Sequence, residues 1–125
     1  MKNDIIKITI PSKPDYISVV RLTSSVIANN MGLNIDDIED IKVAIAEACI
    51  NALRKSNEIF IQFEIKQDKL VMKVNNVSLY KDDKIDLNKE IELGILIIKS
   101  LMDEVEFTEE GVEMIKYIED GNKWK

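Results

Sequence analysis

Histidine is absent from this 125-residue chain, and cysteine occurs once, at Cys49. Without an imidazole base, serine–histidine and cysteine–histidine nucleophile systems are excluded. A structural zinc site is disfavoured as well, because one cysteine does not fill a tetrahedral set of nitrogen and sulfur ligands. A lone thiol forms no intrachain disulfide, which fits a reducing compartment, and Cys49 reads as a small core residue. No stretch approaches the roughly 20 apolar residues of a membrane span. The opening Met1-Lys2-Asn3-Asp4 leads into a short alternating segment rather than an apolar leader. The expectation is a cytoplasmic protein with no membrane partner. Clusters of lysine and arginine are also lacking: 17 basic residues stand against 23 acidic ones, a formal charge of -6. That balance disfavours a partner held through phosphates, nucleic acid above all. The acidic residues gather at Asp36, Asp37, Glu39 and Asp40 and again from Asp103 to Glu113. Each run is either solvated surface or a docking face for a neutral or basic protein.

What is present is enough apolar material, 46% of the chain, for a single core that buries roughly two-thirds of the unfolded surface. We read residues 1–120 as one domain and 121–125 as a flexible tail. Ile6, Ile8 and Ile10 alternate with Lys7 and Thr9 until Pro11 ends the run, which predicts a first strand. Ser12 is a candidate cap and Pro14 suits the first turn of a helix, whose apolar spacing runs through Ile17, Val20, Ser24, Ile27 and Met31 to Gly32. A second helix is expected from about Ile35, with acidic residues at the positive end of its dipole and a stripe of Ile38, Ile41, Ile45, Ala48, Cys49 and Ala52. Ile59, Ile61, Phe63 and Ile65, then Leu70, Met72 and Val74, predict a hairpin through Gln67-Asp68. From Asn75 to Lys89 periodicity is lost, as expected of a functional loop. Apolar helical spacing resumes from Gly94 to Met102, and a last hairpin turns at Glu109-Glu110-Gly111. The order lacks a βαβ repeat. It predicts an α+β two-layer sandwich, three helices on one face of a mixed, mainly antiparallel sheet.

Glu47 and Asn51 lie four apart on the second predicted helix and so stack on one face. A carboxylate and an amide placed in this way orient a water, hold Mg²⁺, or satisfy each other. The last is the bland reading, in which the chain is an unrelated two-layer domain.

The run from Asp40 to Ala52, DIKVAIAEACINA, resembles the helix motif of bacterial anti-sigma factors that are also serine protein kinases, within the histidine-kinase-like ATPase superfamily. Residues Leu93 to Glu106, LGILIIKSLMDEVE, are similar to that family's second glycine-containing box, its helix and the following strand. The likeness covers nearly the whole chain in order and length. It implies ATP and Mg²⁺ as cofactors and a sigma factor or an anti-sigma antagonist as partner. It also implies a homodimer through the first helix and the neighbouring strand. By the same resemblance, Glu47 is the catalytic base that activates or orients a partner's serine hydroxyl, and Asn51 binds the metal. Gly94 lets the chain pass close to the phosphates at the start of the third helix, where free N–H groups favour anions.

The chain departs from the family at its other boxes. Asn76 stands where an aspartate holds the adenine, while Ser78 and Tyr80 replace two glycines. An amide makes a weaker bond to the adenine amino group than a carboxylate does. Glu92 replaces the first glycine of the phosphate box, where its carboxylate would either repel phosphate oxygens or serve as an extra metal ligand. The lid between the boxes is short. These departures keep open an alternative function, a non-catalytic protein-binding module of the same fold.

Overall fold

The computed structural model describes residues 3–53, 55–78 and 85–118, with 85–88 described by backbone alone. Arg54, Tyr80, Trp124 and the tail expected at 121–125 lie outside the described residues.

Five strands form one sheet: β1 (Asp4–Pro11), β2 (Glu58–Ile65), β3 (Lys69–Asn75), β4 (Glu104–Phe107) and β5 (Gly111–Tyr117). Their order across the sheet is β1-β2-β3-β5-β4, and every pairing is antiparallel, so the mixed sheet expected from the sequence has no parallel pair among the described residues. Register follows the alternation of apolar side chains, because a slip of one residue would turn the whole set to the other face. Ile6 lies opposite Phe63, Phe63 opposite Met72, and Met72 opposite Met114, which lays one apolar row across four strands.

Three helices cover that face: α1 (Ile17–Asn30), α2 (Ile35–Ala52) and α3 (Ile85–Leu101). The helix α2 lies in the middle and packs against both others. Its small residues Ala44, Ala48, Cys49 and Ala52 are buried together with Ile41 and Ile45, which allows close approach to its neighbours. Burial raises the Cys49 thiol pKa to about 12, as expected of an inert core residue.

Local signals explain most helix ends. Asn34 caps α2, its side chain accepting from the Asp37 N–H at 2.7 Å. Gly32 ends α1 at a φ of 85°, where a side chain would be strained. Pro14 opens a short 3₁₀ turn (Pro14–Tyr16) that leads into α1. Ser12 is not the cap of that helix: its hydroxyl donates to the Leu53 carbonyl just past α2, tying the end of β1 to the end of α2.

The largest departure from the sequence reading is α3. It begins at Ile85, nine residues before Gly94, so part of the expected loop is helix. Ile91, Ile95, Ile98 and Met102 carry a continuous stripe on its inner side. Gly94 therefore lies inside the helix, and its N–H is not one of the free donors of a helix start.

The two acidic runs also meet. Lys116, which alternation places on the helix side of β5, is buried. Its ammonium donates to the carbonyl of Leu101, the last residue of α3, at 2.6 Å. It lies 3.9 Å from Asp37, 3.9 Å from Asp40 and 3.7 Å from Asp103. Burial pushes the Asp37 carboxyl above its usual range, with Lys116 opposing the shift and Asp103, Asp40 and Asp36 adding to it.

Candidate functional site

Glu47 and Asn51 project from α2 one turn apart, both half-buried, at the edge where the helix layer meets the end of β3. Each reaches a different neighbour. A methyl group added at Gly94 would lie 3.0 Å from Glu47 Oε1, so the carboxylate of α2 occupies the space that the glycine of α3 leaves open. Glycine in a helix interior costs roughly 1 kcal/mol relative to alanine. Here it admits an acid against the helix backbone, a placement an alanine would crowd.

Asn51 faces the segment after β3. Its Nδ2 donates to the Ser78 carbonyl at 3.1 Å, and its Oδ1 accepts from the Ser78 N–H at 3.2 Å. This reciprocal pair uses the Ser78 backbone, so it does not depend on the serine side chain. Lys55 adds its ammonium, 3.4 Å from Asn51 Oδ1 and 3.4 Å from the Asn76 carbonyl. Burial lowers the Lys55 pKa below its usual value.

Asn76 adopts a left-handed backbone, φ 68°, which asparagine tolerates better than most residues. Its backbone N–H donates to the Glu110 carbonyl at 2.8 Å and its side-chain Nδ2 to Ser56 Oγ at 3.3 Å. The strained turn thus delivers the Asn76 carbonyl to Lys55 and the Ser78 peptide to Asn51. Buried Val77 anchors the chain between them.

Four of the five residues singled out in the sequence converge here: Glu47, Asn51, Asn76 and Gly94. Glu92 does not join them. Two positions apart on a helix do not share a face. Gly94 is turned toward α2, whereas Glu92 lies on the exposed side of α3. Because α3 is helical through both positions, the Glu92 side chain and the bare side of Gly94 point to different sides of the helix. Sequence reasoning missed Lys55 as a participant. Its distance of four from Asn51 was the available signal.

The donor set suits a hard divalent cation. No group of three or more acidic, cysteine or histidine side chains able to hold a metal occurs among the described residues. Mg²⁺ does not need such a cage, since one or two oxygen ligands from the protein suffice when phosphates and water complete the octahedron. Asn51 Oδ1 and the Glu47 carboxylate are hard oxygen donors on one helix face, and Gly94 makes room for the carboxylate. The residues present therefore fit a metal–nucleotide complex better than a metal alone.

A carboxylate and an amide one turn apart on a central helix, with a bare glycine facing them from the next helix, belong to a recognisable class. Residues 10–116 match the histidine kinase-like ATPase domain, and the chain belongs to that family. Within it, the chain is 38% identical to the serine-protein kinase RsbW of Bacillus cereus, over 91% of this chain and 85% of that protein. It is likewise 38% identical to the serine-protein kinase RsbW of Staphylococcus aureus, over 94% and 89%. The alignments extend over 136 and 141 positions, more than this chain's 125 residues, so these relatives carry insertions within the matched span.

Proposed function

We propose that the chain is an anti-sigma-type regulator that uses ATP and Mg²⁺ to phosphorylate a serine on an antagonist protein. The observation that carries this reading is the placement of the Glu47 carboxylate directly against Gly94, with Asn51 one turn further along the same face. Bound ATP·Mg²⁺ supplies the γ-phosphoryl group and neutralises charge. Glu47 receives or orients the hydroxyl proton of the incoming serine, and Asn51 offers Oδ1 to the metal. Asn76, in the family's adenine-binding position, is the nearest counterpart of the missing aspartate. Catalysis by positioning and charge neutralisation is what phosphoryl transfer demands of a protein. Similarity to serine-protein kinases along most of the chain supports the same activity. The test is to incubate the protein with γ-labelled ATP, Mg²⁺ and its antagonist. Label is expected on one serine of the antagonist. Absence of label together with absence of ATP binding by calorimetry retires the proposal.

A protein partner also needs a surface. Val19, Leu22 and Val26 form an exposed stripe on α1, 47%, 64% and 58% accessible, at the spacing of one helix face. Apolar side chains left outward in a row suit a protein contact. A homodimer through α1 and β1, in the cytoplasm, is part of the same reading. Light scattering at micromolar concentration is expected to give twice the chain mass, and a monomer alone would contradict it.

The second reading, a binding module that has lost nucleotide, is favoured by one specific observation. The amide proposed to hold the metal is already satisfied by the Ser78 backbone and Lys55. Its mark is a partner complex whose stability is indifferent to ATP.

A further inference from the structure

The ammonium of Lys55 sits between two oxygens of the candidate site, Asn51 Oδ1 and the Asn76 carbonyl, 3.4 Å from each. An amide oxygen has two lone pairs, and on Asn51 they are taken by the Ser78 N–H and by Lys55. The two contacts are not equally easy to give up. The Ser78 N–H is half of a reciprocal pair, so displacing it also strands the bond from Asn51 Nδ2 to the Ser78 carbonyl. Lys55 holds the oxygen by one longer contact, at the end of a flexible chain on an exposed residue. An ammonium leaving that position regains water, which its burial had partly withheld.

We infer that Lys55 is a resident cation of this site that competes with a divalent metal for Asn51 Oδ1. It thereby sets the metal concentration at which nucleotide is held. The inference rests on the reading of Asn51 as the metal-holding residue. A divalent ion held by that oxygen would share an acceptor with the ammonium, and two positive charges on one acceptor repel. Metal entry therefore requires Lys55 to swing out. The pair with Ser78 stays in place, keeping the segment after β3 fastened to α2. Lys55 is in this sense a positioning residue, acting through Asn51 rather than on the reacting atoms.

The experiment titrates MnCl₂ into the protein in the presence of a fluorescent ATP analogue and reads binding of the analogue, not turnover. Lys55→Met, which keeps the aliphatic stem and removes the charge, is expected to lower the half-saturating manganese concentration about threefold to tenfold. Lys55→Arg, which keeps a cation, is expected to stay near the wild-type value. Lys55→Gln serves as a second neutral variant, and circular dichroism confirms that each variant is folded. Unchanged manganese dependence in both neutral variants, with nucleotide binding intact, overturns the competition and leaves the functional reading standing. A higher manganese requirement also overturns it, since the lysine would then be helping to hold the phosphates. If neither wild type nor variants bind the analogue at any manganese concentration, the role of Asn51 falls and this inference falls with it.

Discussion

Glu47→Gln is expected to slow phosphoryl transfer to the partner serine by about 10²–10⁴-fold, the usual contribution of a positioned acid–base group. The substitution keeps the length and planarity of the side chain. The close fit against Gly94, where an added methyl group would come within 3.0 Å of the carboxylate oxygen, is therefore preserved in shape. What is lost is the proton acceptor. ATP affinity is expected to change by less than about threefold, because a base that acts only as the serine is deprotonated contributes little to ground-state binding. Single-turnover transfer measured alongside calorimetric ATP affinity separates the possibilities. A parallel fall in both would make Glu47 a ligand-holding residue, and full activity in the variant would remove it from the chemistry. Glu47→Ala is the less informative change, since it also empties the space beside Gly94 and lets α2 and α3 settle closer.

The sheet was legible from its alternation. Ile61, Phe63 and Ile65 and the facing Val74, Met72 and Leu70 form the pairs that their period of two implies. The central helix was legible for a related reason: its apolar stripe and its acidic first turn agree, and Glu47 and Asn51 fall on one edge of that stripe. The start of α3 was not, because Gly94 reads as a boundary when only its sequence neighbours are considered. The better signal was Ile91, which extends the stripe of Ile95, Ile98 and Met102 back across the glycine. The orientation of Glu92 depended on that same misplaced boundary. A strand or turn at Glu92 would have aimed it near Gly94, and a continuous helix turns it away. The occupation of Asn51 by Ser78 was hidden for a different reason. It is made by backbone groups 27 residues distant, held in place by the left-handed turn at Asn76, and backbone donors carry no residue-specific mark in a sequence.

The partners of Lys116 are not legible in the sequence. Alternation with Val112 and Met114 put a charge on the core side of β5, and a buried charge requires partners. Nothing in the sequence says which of the 23 acidic residues supply them. The structure brings Asp37 and Asp40 from the start of α2 and Asp103 from the turn after α3. Asp103 is further fixed by accepting from the Tyr117 N–H at 2.7 Å. Both helix ends profit, since carboxylates stand at the positive end of α2 and an ammonium at the negative end of α3.

Lys116→Ala is consequently expected to cost about 3 kcal/mol and to lower Tm by about 10 °C. That cost is the low end of the penalty for stripping the partner from buried charge, because the Asp40 and Asp103 side chains keep 37% and 40% of their surface in water. Three carboxylates would then face one another without a cation, with the Lys116 side chain, 8% accessible in the wild type, no longer between them. Lys116→Met restores the volume without the charge, so it should recover only the packing part of the loss. Adding Asp37→Asn to Lys116→Met should recover more, because burial already raises the Asp37 pKa and disfavours its ionised form. The pH dependence follows from the same direction. A carboxyl whose folded-state pKa lies above its unfolded value binds extra protons in the native state, so its contribution weakens stability as pH rises through that folded pKa and relieves it as pH falls. Removing Lys116 takes away the one group that opposes the shift, so the deficit of Lys116→Ala should narrow from pH 7 to about pH 4, near the ordinary aspartate range. Urea unfolding at both pH values measures it. An equal deficit at the two would mean that Lys116 stabilises the fold by filling space beneath α2 and α3 and not by its charge.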